Sequence, residues 1–463
     1  MRVSCFVLLL MAWMQFPVAS AKTLRLAIRN SIQTTDPLLI SSGNDALVLG
    51  QVFENLYSYD SHNQIHADLV ERHELSEDGR TIVLHLRVAK FSDGTELRAE
   101  HVRASLNRAK RKKGKELQWA LGDVDRMEIL GPRTLKVSLL RPSAVFLHAL
   151  TCPHLGIVLE KSGKLYGTGD YVQKLPQQLE RRSGAGPERI EFSKIADQAA
   201  EMDAFKKNQI DAFVFLGDVR ELNQTAGFES VQLQNFHYLL TKYLVFNLHS
   251  SFFKDAKSRC SFGQSFRAAA LKKTAHWRPI ENSLPFLWYE NQETTPVARA
   301  VRPQLQVGFS GGVHEYSDEE TSRLQGELKS EGYDVVFRRS RTPDLLKALR
   351  AGKADVILIG YIPDYLGLSG LLSPIVGSHQ MNNYNHFMDS EIDRLLSEAQ
   401  TEMREKERNL IYQRVFRRFY EVCPVYFVGA KPAVFAAHEG WKFPEINGFG
   451  IQSLKAKDVH ESH

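Results

Sequence analysis

The chain has 463 residues, a formal net charge of +5 and 43% hydrophobic residues. That length supports two or three domains with real cores, and the charge is too mildly basic to indicate nucleic-acid binding. Beyond the N-terminus no stretch is long and apolar enough to cross a bilayer, so a membrane partner would be met in trans.

The first segment reads as an address. Arg2 precedes an apolar run, Val3 to Met14, followed by Pro17 and Ala19-Ser20-Ala21. This is the n-h-c order of a secretory signal peptide. Cleavage is expected after Ala21, with Lys22 as the new N-terminus. No Cys follows that site and Cys5 lies inside the apolar run, so no lipid anchor is expected. An unanchored exported protein needs an outer membrane to retain it, and the expected compartment is a Gram-negative periplasm. Cys152, Cys260 and Cys423 would remain. Three thiols allow at most one disulfide, of undetermined pairing.

Lys22 to Arg29 reads as a strand, ending in a polar loop with Asp36-Pro37. Asp78-Gly79 and Asp93-Gly94 are turn dipeptides. Between them Ile82, Leu84 and Leu86 alternate with polar residues, the period of a half-buried strand. Ala99, Val102, Leu106 and Ala109 then form a helical stripe. The basic run Arg108 to Lys115 follows as a solvated helix end, where cations complement the helix dipole. His148, Cys152 and His154 carry metal-ligand chemistry, but Pro153 interrupts their spacing, and a structural role is expected.

Ile190 to Ile195 reads as a strand, Asp197 to Asn208 as a helix with Ala200, Met202 and Phe205 on its apolar side, and Ile210 to Phe215 as a strand. A second set begins with the strand at Leu305. Ser317 and Asp318 start a helix carrying Leu324 and Leu328, closed by Gly332. Tyr333 to Phe337 is a strand, Pro343 opens a helix at its first position with Leu345, Leu346 and Leu349 inside, Gly352 ends it, and Asp355 to Gly360 is a strand. This alternation predicts an α/β protein with parallel sheets. A long helical pattern follows, with Ile392, Leu395, Leu396, Ala399 and Met403, then Leu410, Ile411, Val415 and Phe419, ended by Pro424.

Two places could carry chemistry. Gly308-Phe309-Ser310-Gly311-Gly312 fits the G-x-S-x-G spelling of a hydrolase elbow, but the paired glycines postpone the helix to Ser317, and no Asp or His partner is identifiable. Asp364 follows the carboxyl end of an apolar strand, where ligands of open α/β sheets bind. Tyr361 and Tyr365 flank it, and its carboxylate suits an ammonium in a closing cleft.

Leu86-Arg87, Phe91-Ser92-Asp93-Gly94-Thr95 and Ala99-Glu100-His101-Val102 stand in the order of a signature in the family 5 extracytoplasmic solute-binding proteins, the dipeptide-, oligopeptide- and nickel-binding subunits of ABC importers. His101 replaces the usual Asp, a surface-helix change. The chain resembles this family also at Thr35-Asp36-Pro37, Gly167-Thr168-Gly169-Asp170-Tyr171, Tyr243-Leu244-Val245-Phe246-Asn247, Glu391-Ile392-Asp393, Glu407-Arg408 and Cys423-Pro424, from about residue 23 to 450. The resemblance implies a bilobal periplasmic-binding-protein fold with two hinge crossings, near 248–250 and 430–432. It places the first lobe at 22–55, 165–248 and 432–463, an extra domain at 56–164 and the second lobe at 249–431.

In the peptide binders an Asp at the position of Asp364 takes the peptide's α-amino group, and Tyr361 stands where they carry Trp. Gly367-Leu368 replaces their second Asp-Pro. The ligand-binding candidates are Asp364, Gly360, Tyr361 and Tyr365, with Asn247 and Thr35 from the other motifs. The implied function is capture of peptides between two lobes by hinge closure and delivery to an inner-membrane permease and ATPase. A monomer without cofactor, metal, nucleic-acid partner or catalytic step is expected. The alternatives are a metal chelate, haem or oligosaccharide in the same fold, the last disfavoured by Tyr361; a periplasmic serine hydrolase using Ser310; and a signalling receptor without transport.

Overall fold

The computed structural model describes residues 23–28, 31–112, 121–195, 197–217, 219–228, 231–236, 240–271, 304–310, 317–363, 365–380, 382–430 and 433–462. The expected signal peptide lies outside them.

Two mixed sheets carry the chain. The seven-stranded sheet runs, in spatial order, Tyr171–Leu175, Gln178–Arg181, Arg189–Lys194, Thr23–Ile28, Ala212–Phe215, Ala433–His438 and Val231–Phe236. Its centre is parallel: Leu24 stands beside Ile190, and Leu26 beside Phe192 on one side and Ala212 on the other. The five-stranded sheet runs Val335–Arg339, Leu305–Phe309, Val356–Tyr361, Thr241–Phe246 and Val425–Ala430. Its first three strands are parallel. The remaining pairs in both sheets are antiparallel, which corrects the expectation of parallel sheets. A helical crossover holds the strands it joins parallel, as between Leu305–Phe309 and Val335–Arg339. Thr241–Phe246 and Ala433–His438 arrive from the other sheet and escape that constraint.

Thr241–Phe246 is buried throughout and pairs with Val356–Tyr361 and Val425–Ala430. The chain therefore changes sheets between Phe236 and Thr241, ahead of the 248–250 expected. It changes back between Ala430 and Ala433, and residues 431–432 lie outside those described.

A four-stranded antiparallel sheet, Val70–Leu75, Thr81–Leu86, Thr134–Leu139 and Val124–Gly131, forms the extra unit with the helix Ala99–Lys110. Ile82, Leu84 and Leu86 are buried with Val102 and Leu106, as the period predicts. Gly79 and Gly94 take the positive φ their turns require, 66° and 90°. His101 is no mere surface residue. Its Nδ1 accepts Arg98 N–H at 3.0 Å, so it holds the helix start as an acidic side chain would, and its ring packs edge-on to Phe91.

The motif segments interlock. Ser92 N–H donates to Gly167 O at 2.9 Å, and Arg182 donates to Lys90 O, Thr168 O and Gly169 O. A Cβ on Gly167 would lie 1.9 Å from Val52 O, so only glycine fits this approach. Arg108 pairs with Asp36, and Lys112 donates to Leu38 O. The described start of the basic run thus fastens the helix to the first loop.

Other element ends shift by a few residues. Gly332 (φ 84°) and Tyr333 cap the helix Asp318–Ser330, Tyr333 N–H donating to Leu328 O, so the next strand begins at Val335 rather than Tyr333. Pro343 is second, not first, in Thr342–Arg350. In Gln198–Lys206 the buried residues are Gln198, Glu201, Ala204 and Phe205, while Ala200 is exposed. The long C-terminal pattern is two helices, Ser390–Thr401 and Glu405–Val422; Leu410 is exposed, and Tyr412 and Phe416 join the core.

Cys260 and Cys423 form a disulfide with Cα atoms 5.5 Å apart, and Cys152 keeps a buried thiol. Beside the bridge the buried Arg259 donates to Cys423 O at 2.8 Å and Val422 O at 2.7 Å. These are carbonyls that the helix end leaves without intrahelical donors.

Candidate functional site

A cavity of about 260 Å³ opens between the two large sheets. Both present the carboxyl ends of parallel strands to it: Ala27 and Val214 with Leu216 from the seven-stranded sheet, and Ile362, one residue past Val356–Tyr361, from the five-stranded one. Open α/β sheets bind ligands at such ends. Leu47, Phe213, Phe449 and Ile451 make the wall mostly apolar; Ser42, Asn44, Glu201 and Gln452 add polar groups.

The Ser42–Asn44 wall is held from behind. Asp45 is fully buried and accepts Gln33 N–H at 2.8 Å, Ser41 N–H at 3.2 Å and the Ser42 hydroxyl at 3.0 Å. Ser42 in turn accepts Asp45 N–H. Ser42 is thus the side-chain cap of the helix Gly43–Leu49, a signal the sequence reading passed over.

Of the loop that carries the expected ligand residues, Ile362 lines the cavity. Gly360 is exposed at the strand end, opposite Lys242. Tyr361 is half-buried, its hydroxyl 3.5 Å from Gly370 O. Tyr365 is 4% exposed and turns away to a ring contact with His148 at 6.3 Å, so it does not offer a face to the cleft. Asp364 lies outside the described residues. Asn247 is not part of the site. It follows Phe246, opposite the start of the antiparallel partner strand, whereas Tyr361 ends that strand opposite Thr241. The separation is about 20 Å at roughly 3.4 Å per residue, and the Asn247 side chain caps a turn by accepting His249 N–H. Thr35 is exposed and is not among the lining residues.

Tyr59, which the sequence reading missed, joins three parts of the chain. Its hydroxyl accepts Leu366 N–H at 3.1 Å and donates to His148 Nδ1 at 2.8 Å. Its ring stacks on Phe449, a cavity residue, with centroids 5.6 Å apart. Burial pushes its phenol up to about 12. The extra unit thereby touches the loop that carries Asp364. Arg141 adds a bond to Ser397, and Ala144 N–H one to Gln400 O.

His148 Nδ1 is thus engaged by the Tyr59 hydroxyl. Cys152 and His154 pair separately: the thiol donates to His154 Nδ1 at 3.3 Å, and Nε2–H to Ile40 O at 3.0 Å. Among the described residues no group of three His, Cys, Asp or Glu could hold a metal. Ser310 N–H bonds Leu358 O; residues 311–316 lie outside those described, and the next helix begins at Asp318.

Burial, and after it the charge of Arg408, lowers the His148 pKa from 6.5 to about 4. The unfolded chain then binds more protons between those values, so this contribution is present above pH 6.5 and lost as pH falls toward 4. At 1.36 kcal/mol per pH unit it amounts to roughly 3 kcal/mol. The stability difference between wild type and His148→Gln, from denaturant midpoints, should shrink over that range. A difference independent of pH would contradict a neutral buried imidazole.

Residues 64–275 match the family described as bacterial extracellular solute-binding proteins, family 5 Middle. The glutathione-binding protein GsiB of Salmonella typhi is 29% identical over 167 residues, 34% of this chain and 33% of the relative. The chain thus matches about a third of the length of that curated relative. Solved structures resemble the whole chain. Campylobacter jejuni NikZ in complex with Ni(L-His) has a TM-score of 0.76 at 19% identity, covering 95% of this chain and 100% of its own. Helicobacter pylori DppA, an ABC transporter-associated periplasmic binding protein in complex with peptide STSA, has 0.76 at 16%, covering 95% and 98%. At these identities the likeness concerns the fold, the bilobal one of periplasmic binding proteins. No described helix is long and apolar enough to cross a membrane. The chain thus carries a domain that matches the family 5 extracellular solute-binding proteins over residues 64–275.

Proposed function

We propose that this protein is a periplasmic substrate-binding protein of an ABC importer, capturing short peptides between its lobes and presenting them to a permease and ATPase. The observation that carries this reading is the open cavity of about 260 Å³ lined by strand ends of the seven-stranded sheet and by Ile362, just past a strand of the five-stranded one. A ligand held there touches both lobes and stabilises their approach. In this reading the seven-stranded sheet is the first lobe, the five-stranded sheet the second, and the unit around residues 56–164 the extra domain. The protein acts as an exported monomer without a catalytic step, and Asp364 receives the ligand's amino group.

Calorimetry with free dipeptides, their N-acetylated forms and a nickel–histidine chelate tests the reading. Free dipeptides should bind, and small-angle scattering should show a smaller radius of gyration when they do. Chelate binding without peptide binding would replace peptide by metal complex. Covalent labelling of Ser310 by a fluorophosphonate would overturn the binding-protein reading altogether.

A further inference from the structure

Resting on the reading of the larger cavity as the ligand site, we infer that a second, smaller site beside it takes a neutral aromatic ring of the captured ligand.

A cavity of about 120 Å³ lies where the helix Gly43–Leu49 and the C-terminal residues 447–455 meet the strand Tyr57–Tyr59 with Thr151 and Pro153. Phe449 and Gln452 line this cavity and the larger one alike, so the two adjoin. Tyr59 and Phe449 are stacked with centroids 5.6 Å apart, and with Tyr57 they give the smaller cavity aromatic surface. Ala46, Pro153 and Leu454 add aliphatic surface.

The polar side chains of the wall are already engaged with the protein. Asn447 accepts Phe449 N–H at 3.0 Å and donates to Tyr59 O at 3.3 Å, and the Ser453 hydroxyl donates to Gly450 O at 2.8 Å. The Tyr57 hydroxyl bonds His73 Nδ1 at 2.9 Å, and Thr151 donates to His148 O at 2.7 Å. A wall satisfied in this way rewards an apolar guest, because a polar one gives up water without gaining a partner.

Lys455 brings a charge to the rim, but that charge is committed. Its ammonium stands 3.6 Å from the Asp68 carboxylate and donates to Gly50 O. Asp68 Oδ2 is buried with no hydrogen bond among the described residues, so the ion pair is what it has. A ligand anion drawing Lys455 away would leave that buried carboxylate without its partner. A ligand cation would meet the like charge of Lys455. The site therefore disfavours charge of either sign. Its volume also limits the guest: an apolar cavity of roughly 150 Å³ holds one benzene, so about 120 Å³ with an open mouth suits a single six-membered ring.

Ala-Phe, Ala-Ala and Ala-Glu, together with 4-bromobenzyl alcohol as a free ring, test the inference on the full chain. Calorimetry should show Ala-Phe binding about tenfold tighter than Ala-Ala, the scale of burying most of a phenyl ring, and Ala-Glu no tighter than Ala-Ala. The bromo alcohol should bind in solution, weaken Ala-Phe in competition and leave Ala-Ala unaffected. In crystals soaked with it, the anomalous bromine peak should lie between Tyr57, Thr151 and Leu454. A peak only in the larger cavity, binding at crystal concentration only, or equal competition against Ala-Ala and Ala-Phe would overturn the inference. If the dipeptides bind without preference for Ala-Phe and the alcohol does not bind, the peptide reading stands and the second site is wrong. If the alcohol takes its place there and no dipeptide binds, the ring site stands and the peptide reading falls.

Discussion

Replacing Cys260 and Cys423 together by alanine is expected to remove up to about 5 kcal/mol of stability. The bridge closes a loop with a sequence separation of 163 residues. In the chain-entropy account a loop of that length strongly restricts the unfolded ensemble, though native strain and residual structure reduce the effect. The bridge also fastens Ala256–Leu271 to the end of Glu405–Val422, where Arg259 gathers the last carbonyls. Guanidinium midpoints should fall together for the double variant and for wild type under reductant, while reductant should not change the double variant. An unchanged midpoint on reducing the wild type would show that the bridge is absent or without weight.

The second large effect is expected at Asp364. If its carboxylate receives the ligand ammonium in a closed cleft, Asp364→Asn leaves that ammonium buried without its partner. The loss on removing one side of such a pair is on the order of 2–5 kcal/mol, about 30-fold to several thousandfold in affinity. The Asn side chain keeps the shape, so packing stays constant. Calorimetry should show the loss for free dipeptides and little change for N-acetylated ones. Equal wild-type affinity for both forms, or normal binding of free dipeptide by Asp364→Asn, would remove the amino-group role. The metal-chelate and sugar alternatives would then move ahead. Tyr59 and His148 hold the same loop through Leu366 and Tyr365, so disruption of their contact would also weaken binding, but for acetylated and free peptides alike.

What the sequence determined by itself is local or ordered. The alternation of Ile82, Leu84 and Leu86, the Gly79 and Gly94 turns, the Ser317 cap and the Gly332 helix end each depend on residues within a few positions. Backbone sterics and a single strand or helix period decide them. The family resemblance was legible because short motifs keep their order along the chain.

The tertiary structure decided the rest, because those features rest on pairings between distant residues. Thr241–Phe246 is an apolar strand under any reading, but only its register with Val356–Tyr361 assigns it to the five-stranded sheet. That same antiparallel register carries Asn247 away from Tyr361. Three cysteines give no pairing until helices 163 residues apart are packed together. Tyr365 looked like a cleft aromatic from its neighbours in sequence, yet packing against His148 buries it. Glu201 resembles any other helix carboxylate in the sequence, and only the fold sets it on the cavity wall. A polar group on a cavity wall follows no hydrophobic period, so its place becomes visible only in the folded chain.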